Sequence, residues 1–130
     1  MARRAWDWMR QAERDLLHAR NALEDGDYEW ACFAAQQAAE KALKALYENQ
    51  GLEVRGHSIL GLVRRLADFY PVPEEFYPFA RVLTRYYIEA RYPNGFPEGA
   101  PFEYFDQEMA REAVDAAEAI LQWCRNRLSG

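Results

Sequence analysis

The chain is poor in metal ligands: it holds two cysteines, Cys32 and Cys124, and two histidines, His18 and His57. Four scattered side chains are too few for a metal centre, whose ligands must converge at short spacings. No metal and no other cofactor is expected. Both cysteines fall on apolar helical stripes and read as plain buried thiols, with a bridge between two buried helices as the alternative. Lysine is confined to Lys41 and Lys44. No apolar run approaches the roughly 18–20 residues that cross a bilayer. The opening MARRAWDWMRQAERD carries acids and lacks an apolar core, so no secretory signal is read there and a cytoplasmic protein is expected. A Gly-rich phosphate loop, an HExxH pair and a Ser-His-Asp order are all missing. The net charge of −5 excludes a general polyanion binder, although a local basic cleft is compatible with it.

What is present is helical periodicity over one domain, residues 1–130. The segment YEWACFAAQQAAEKALKALY, from Tyr28 to Tyr47, carries two adjacent apolar stripes: Ala31, Ala35, Ala38, Ala42 and Ala45, then Cys32, Ala39, Leu43 and Leu46. A face that wide marks a central helix packed against several neighbours, with Asp27 as its expected cap and Gly51 as its stop. The polar remainder, Gln36, Gln37, Glu40, Lys41 and Lys44, reads as a solvated face. A first helix is expected from about Arg3 to Glu24, closed by Gly26 and paired with the central helix as a hairpin. A third runs from about Ile59 to Phe69 behind Ser58, with Leu62, Leu66 and Phe69 inward. A fourth runs from about Glu74 to Ala90, with Phe76, Phe79, Ala80, Leu83, Tyr87 and Ala90 inward. Residues 91–105, RYPNGFPEGAPFEYF, form a loop rich in proline and aromatic rings that is expected to pack on the body or line a site. Asp106 caps the last helix. The four tryptophans read mostly as core. The fold class is all-α, an up-and-down antiparallel bundle of about five helices.

The candidate chemistry gathers in the fourth helix and beyond it. Arg81 and Arg85 lie four apart, and Arg91 and Tyr92 stand where that helix ends. Guanidinium forks grip phosphate and tyrosine rings stack on bases, so these residues could build a nucleotide or anion pocket. The competing reading pairs Arg85 with Glu89 and ties Arg91 to carbonyls at the helix end. Glu40 and Lys44 fit an i,i+4 pair, which leaves Lys41 as the freer cation. His57, just ahead of a helix, is either a phosphate contact or a surface residue. His18 reads as exposed.

Taken in order, Ala38-Ala39-Glu40-Lys41-Ala42-Leu43-Lys44-Ala45-Leu46, Gly51, His57, Arg85-Tyr86-Tyr87 and Arg91-Tyr92-Pro93 resemble the HEPN family (higher eukaryotes and prokaryotes nucleotide-binding). The resemblance spans nearly the whole chain. It implies a helical bundle that commonly dimerises and often partners a minimal nucleotidyltransferase, in a toxin–antitoxin-like setting. Many members of that family are metal-independent ribonucleases carrying an Arg-x(4–6)-His motif. In this sequence the positions at that spacing from Arg85 hold Ala90, Arg91 and Tyr92 instead of histidine, and neither His18 after Arg14 nor His57 after Arg55 has the spacing. The resemblance therefore points to a nucleotide- or RNA-binding module with no assigned catalytic residue, its candidate contacts being Arg85, Arg91, Tyr92, Lys41, His57 and Arg81. One alternative is a ribonuclease with a rearranged site that uses His57. The other is a purely structural helical dimer.

Overall fold

The computed structural model describes residues 4–129, so the expected first helical residue, Arg3, lies outside the described residues. Five helices follow one another: α1 (Ala5–Asp25), α2 (Tyr28–Asn49), α3 (Ile59–Leu66), α4 (Phe76–Glu89) and α5 (Gln107–Ser129). Short 3₁₀ turns at Pro93–Gly95 and Pro101–Glu103 interrupt the long loop between α4 and α5. No strand occurs among the described residues. α2 touches every other helix, and its run of buried alanines lets α1 and α5 approach closely on either side. Leu43, Leu46, Met9, Ile59, Leu62, Leu83, Ile120 and Leu121 fill the space around it.

Gly26 makes the turn between α1 and α2. Its φ of 84° lies in the left-handed region, its amide returns to Leu23 and the Asp27 amide returns to Ala22 (2.9 Å). Asp27 does not cap α2 with its side chain, because its ψ of 68° falls short of the extended backbone from which a cap side chain reaches the first helical amides. Its backbone is shared between two helices, its amide bonding to α1 and its carbonyl accepting from Ala31 (2.9 Å). Asp106 does cap α5, its Oδ1 accepting from the Met109 amide at 2.9 Å. Ser58 caps α3 in the same way, through the Gly61 amide at 3.0 Å.

Several inward assignments change. α3 stops at Leu66, the chain turns back on the Leu66 carbonyl, and Phe69 is left half exposed. Of the two adjacent tyrosines on α4 the buried one is Tyr86, packed against Phe105 at 5.5 Å between centroids, while Tyr87 is only partly buried. Trp6, Trp8 and Trp123 flank the core without entering it, and Trp30 is 48% exposed. Cys32 and Cys124 are buried free thiols. Burial drives both thiols away from ionisation, pushing Cys32 up to about 12. The loop after α4 packs on the body through Pro101 and Phe105, as expected, and its own Phe96 and Tyr104 rings stack 4.1 Å apart. Among the described residues no helix is long and apolar enough to cross a membrane.

Candidate functional site

The face of α2 that the sequence marks as solvated is instead partly buried. Gln36, Glu40 and Lys44 are 0%, 5% and 9% exposed. They recur every four residues, so they form a single polar stripe set into an apolar surface. Buried polar groups need partners, and the bonds form a chain. Lys44 Nζ bonds Glu40 Oε2 at 2.9 Å, and Gln36 Nε2 bonds Glu40 Oε1 at 3.0 Å. Gln36 Nε2 also reaches the His57 carbonyl at 3.0 Å, while Gln37 donates to Gln36 Oε1 at 2.8 Å. Lys41 joins through Gln37 at 3.0 Å and is paired with Asp15 of α1 at 2.6 Å. Lys41 is therefore not the freer cation that its spacing implies: α1 supplies its counter-charge.

His57 stands at the outer end of this chain. Its Nδ1 lies 3.1 Å from each oxygen of Glu40, and its ring stacks on Tyr87 with centroids 4.0 Å apart and planes 11° from parallel. Gly56, at φ 102°, gives the connector the left-handed turn that delivers His57 there. The α3 start is then anchored to α4, because Thr84 Oγ1 accepts from the Leu60 amide at 3.0 Å. Two separate elements thus fix the ring against the α4 tyrosine. With the carboxylate accepting, Nδ1 carries a proton, and the opposite nitrogen, Nε2, has no partner among the described residues. Burial by itself raises the Glu40 carboxyl, but the bonds from Lys44, Gln36 and His57 outweigh it and hold the group below the usual carboxylate range.

Arg91 shares Tyr87 with His57. Its Nε donates to the Tyr87 carbonyl at 2.8 Å, the helix-end bond expected from sequence, and its guanidinium lies 4.3, 4.7 and 5.0 Å from the Phe33, Tyr87 and Tyr92 ring centroids. Arg85 forms the i,i+4 contact with Glu89 at 3.2 Å and is largely exposed, and Arg81 is exposed on the same helix. Of the six candidate contacts, the structure brings His57 and Arg91 together around Tyr87, with Tyr92 beside Arg91. It links Lys41 to them through the glutamines. Arg81 and Arg85 stand on the outer surface of α4.

Sequence reasoning misses three participants. Periodicity places Tyr87 in the core, Lys44 on the surface and Trp8 in ordinary packing. Lys44 and Trp8 line an open cleft of about 610 Å³ together with Glu48, Glu53, Arg55 and His57, with Lys44 Nζ 6.0 Å from the Trp8 ring. The signal available is the four-residue repeat Gln36, Glu40, Lys44 inside a helix otherwise apolar on that side. No cluster of three or more metal-ligating side chains occurs among the described residues.

The chain resembles known proteins along its length. A solved Thermus thermophilus protein is 46% identical over 95% of this chain and 97% of its own, with a TM-score of 0.92. An archaeal HEPN homologue is 43% identical over 95% and 96% of the two chains, with a TM-score of 0.80. A HEPN domain protein from Thermotoga maritima is 35% identical over 95% and 98%, with a TM-score of 0.78. A curated Methanocaldococcus jannaschii protein, named as a candidate toxin, is 26% identical over 88% of this chain and 82% of its own. The HEPN domain profile matches residues 5–127, a span that includes α2 with its polar stripe, His57 and the Arg91-Tyr92-Pro93 end of α4, and the chain belongs to the HEPN domain family.

Proposed function

We propose that this protein is a binding module for RNA or nucleotide phosphate, with the His57–Tyr87–Arg91 cluster as its recognition centre. The carrying observation is that an exposed imidazole is held rigidly by Glu40 and Tyr87 beside a guanidinium set among rings. A group pre-oriented in this way loses little entropy when it meets a ligand oxygen. Arg91 contributes a permanent positive charge, and Tyr87 sets its spacing from His57. The decisive experiment is fluorescence anisotropy of a labelled RNA, and of a labelled nucleotide, in chelator with wild type, His57→Ala and Arg91→Ala. The reading expects each substitution to weaken binding at least tenfold with little change in melting temperature. Equal affinity in all three proteins would defeat it.

One observation favours a second reading. A carboxylate on Nδ1 with Nε2 left open is how a histidine is prepared for proton transfer. Metal-independent RNA cleavage would then persist in chelator and vanish in both His57→Ala and Glu40→Gln. Intact RNA after prolonged incubation, with binding retained, would leave the module as a binder only.

The reading includes pairing of two copies. An apolar groove of about 370 Å³ runs between α4 and α5, lined by Phe79 and Val82 on one side and by Glu112 and Asp115 on the other. Arg81 is exposed one position from Val82. A two-fold axis there would set the cation of one copy against the acids of the next. The relative named as a candidate toxin supports a toxin–antitoxin-like setting, in which a minimal nucleotidyltransferase would be the second partner. Co-purification of the two proteins tests that part.

A further inference from the structure

The polar stripe and His57 do not account for the aromatic surface beside them. Trp30 is the most exposed tryptophan among the described residues and does not stand alone. Its ring meets Phe33 edge-on at 6.2 Å, Phe33 meets Tyr87 at 6.3 Å, and Tyr87 carries His57 at 4.0 Å. Arg91 lies over Phe33 and Tyr87 at 4.3 and 4.7 Å. Scattered surface rings need no explanation, but a continuous strip of them ending on a cation is a different feature. Beside Trp30 and Phe33 opens a recess of about 220 Å³ whose remaining wall includes His18, Gln37, Lys41 and Asp15. The exposed Trp30 ring, with Phe33 nearly perpendicular to it and a fringe of donors and acceptors alongside, suits a flat heterocycle that stacks on one face and hydrogen-bonds at its edge.

From this arrangement we infer a nucleobase subsite on Trp30, beside Phe33, that takes an unpaired base of a strand whose phosphate lies at the neighbouring centre. The inference rests on the proposed function, since His57 and Arg91 supply the phosphate grip. Arg91 touches Phe33, so a nucleotide held at the guanidinium has the subsite within its own reach. Base pairing hides the edges and stacking hides the faces that such a subsite uses, so an unpaired strand is preferred to a duplex. Stacking on an aromatic ring tolerates any base, so the subsite contributes affinity with weak sequence preference.

The test compares one labelled oligoribonucleotide, single-stranded and annealed to its complement, against wild type, Trp30→Ala, Trp30→Phe, His57→Ala and Arg91→Ala. Removing the ring is expected to weaken single-strand binding roughly tenfold, while Trp30→Phe retains most of it. Wild type is expected to favour the single strand. Tryptophan fluorescence should be quenched by the RNA in wild type and much less in Trp30→Phe. If Trp30→Ala binds as wild type does while His57→Ala and Arg91→Ala fail, the subsite is overturned and the phosphate centre stands. If no variant differs from wild type, or wild type binds neither strand, both are overturned. If Trp30→Ala abolishes concentration-dependent self-association without changing RNA affinity, the strip belongs to the pairing of two copies and the subsite is again overturned.

Discussion

Both oxygens of Glu40 lie 3.1 Å from Nδ1 of His57, and one of them also receives Lys44 at 2.9 Å. One buried carboxylate therefore orients an exposed imidazole and neutralises a buried ammonium. A buried ion pair is a poor source of net stability, but breaking it from one side leaves a charge without compensation. Glu40→Ala is expected to cost about 3 kcal/mol or more, a fall in melting temperature on the order of 10 °C. The double variant Glu40→Gln with Lys44→Met removes both charges and should recover most of that loss. Thermal melts of the two proteins check the claim. A single variant as stable as wild type would show that the pair is solvated and energetically idle.

The same carboxylate sets a pH dependence. Its folded-state pKa lies below the ordinary 4.5, because the bonds from Lys44, Gln36 and His57 outweigh its burial. Between the folded and unfolded values the unfolded chain binds more protons, so stability rises with pH there. The contribution is fully present above the unfolded value and is lost as pH falls through the folded one. Urea unfolding of wild type and Glu40→Gln should therefore show a constant gap from neutral pH down to about 5, narrowing under stronger acid. A gap that widened on acidification would reverse the sign and remove Glu40 as its source.

Much of this is legible in the sequence, and what is not has a common cause. The four-three spacing of alanines and leucines locates α1, α2 and α5, because a helix packed on several sides must repeat apolar residues at that period. Gly26 locates the hairpin, because an L side chain disfavours its φ. Periodicity along one helix does not tell which polar residues a distant loop will cover. Gln36 is buried partly because the His57 carbonyl, twenty-one positions away, accepts its amide. Tyr86 and Tyr87 are alike in composition, and only the packing of Phe105 and His57 against α4 makes one a core ring and the other a site ring. Asp27 has the residue type of a cap, but residue type does not fix the backbone angles, and its ψ of 68° keeps the side chain from the first helical amides.

The two cysteines offer a readout of folding. Both are fully buried in the core and both thiols are pushed up by burial, Cys32 to about 12. Thiolate is the reacting form, so neither should react with Ellman's reagent at about pH 8 while the chain is folded. Both should react at once in guanidinium. Rapid stoichiometric labelling of the native protein would mean that α2 or α5 opens far more often than its packing implies.

The proposed pairing of two copies makes a sharper demand, because it assigns Arg81 a role outside phosphate binding. The exposed cation precedes Val82, which lines the groove on α4 together with Glu112 and Asp115 of α5. In an isologous dimer each such contact occurs twice, so one charge reversal places two like-charge pairs in the interface. Arg81→Glu should raise the dimer dissociation constant by tenfold or more in analytical ultracentrifugation. Adding Glu112→Arg to the same chain should restore association, since the reversed charges again face opposite signs. High salt should weaken the wild-type dimer less than the reversal does, because the apolar floor around Phe79 and Val82 is indifferent to ionic strength. A wild type that sediments as a monomer at all accessible concentrations removes the groove as an interface and returns Arg81 to the pool of surface cations. A dimer unmoved by either substitution places the two-fold axis on another face of the bundle.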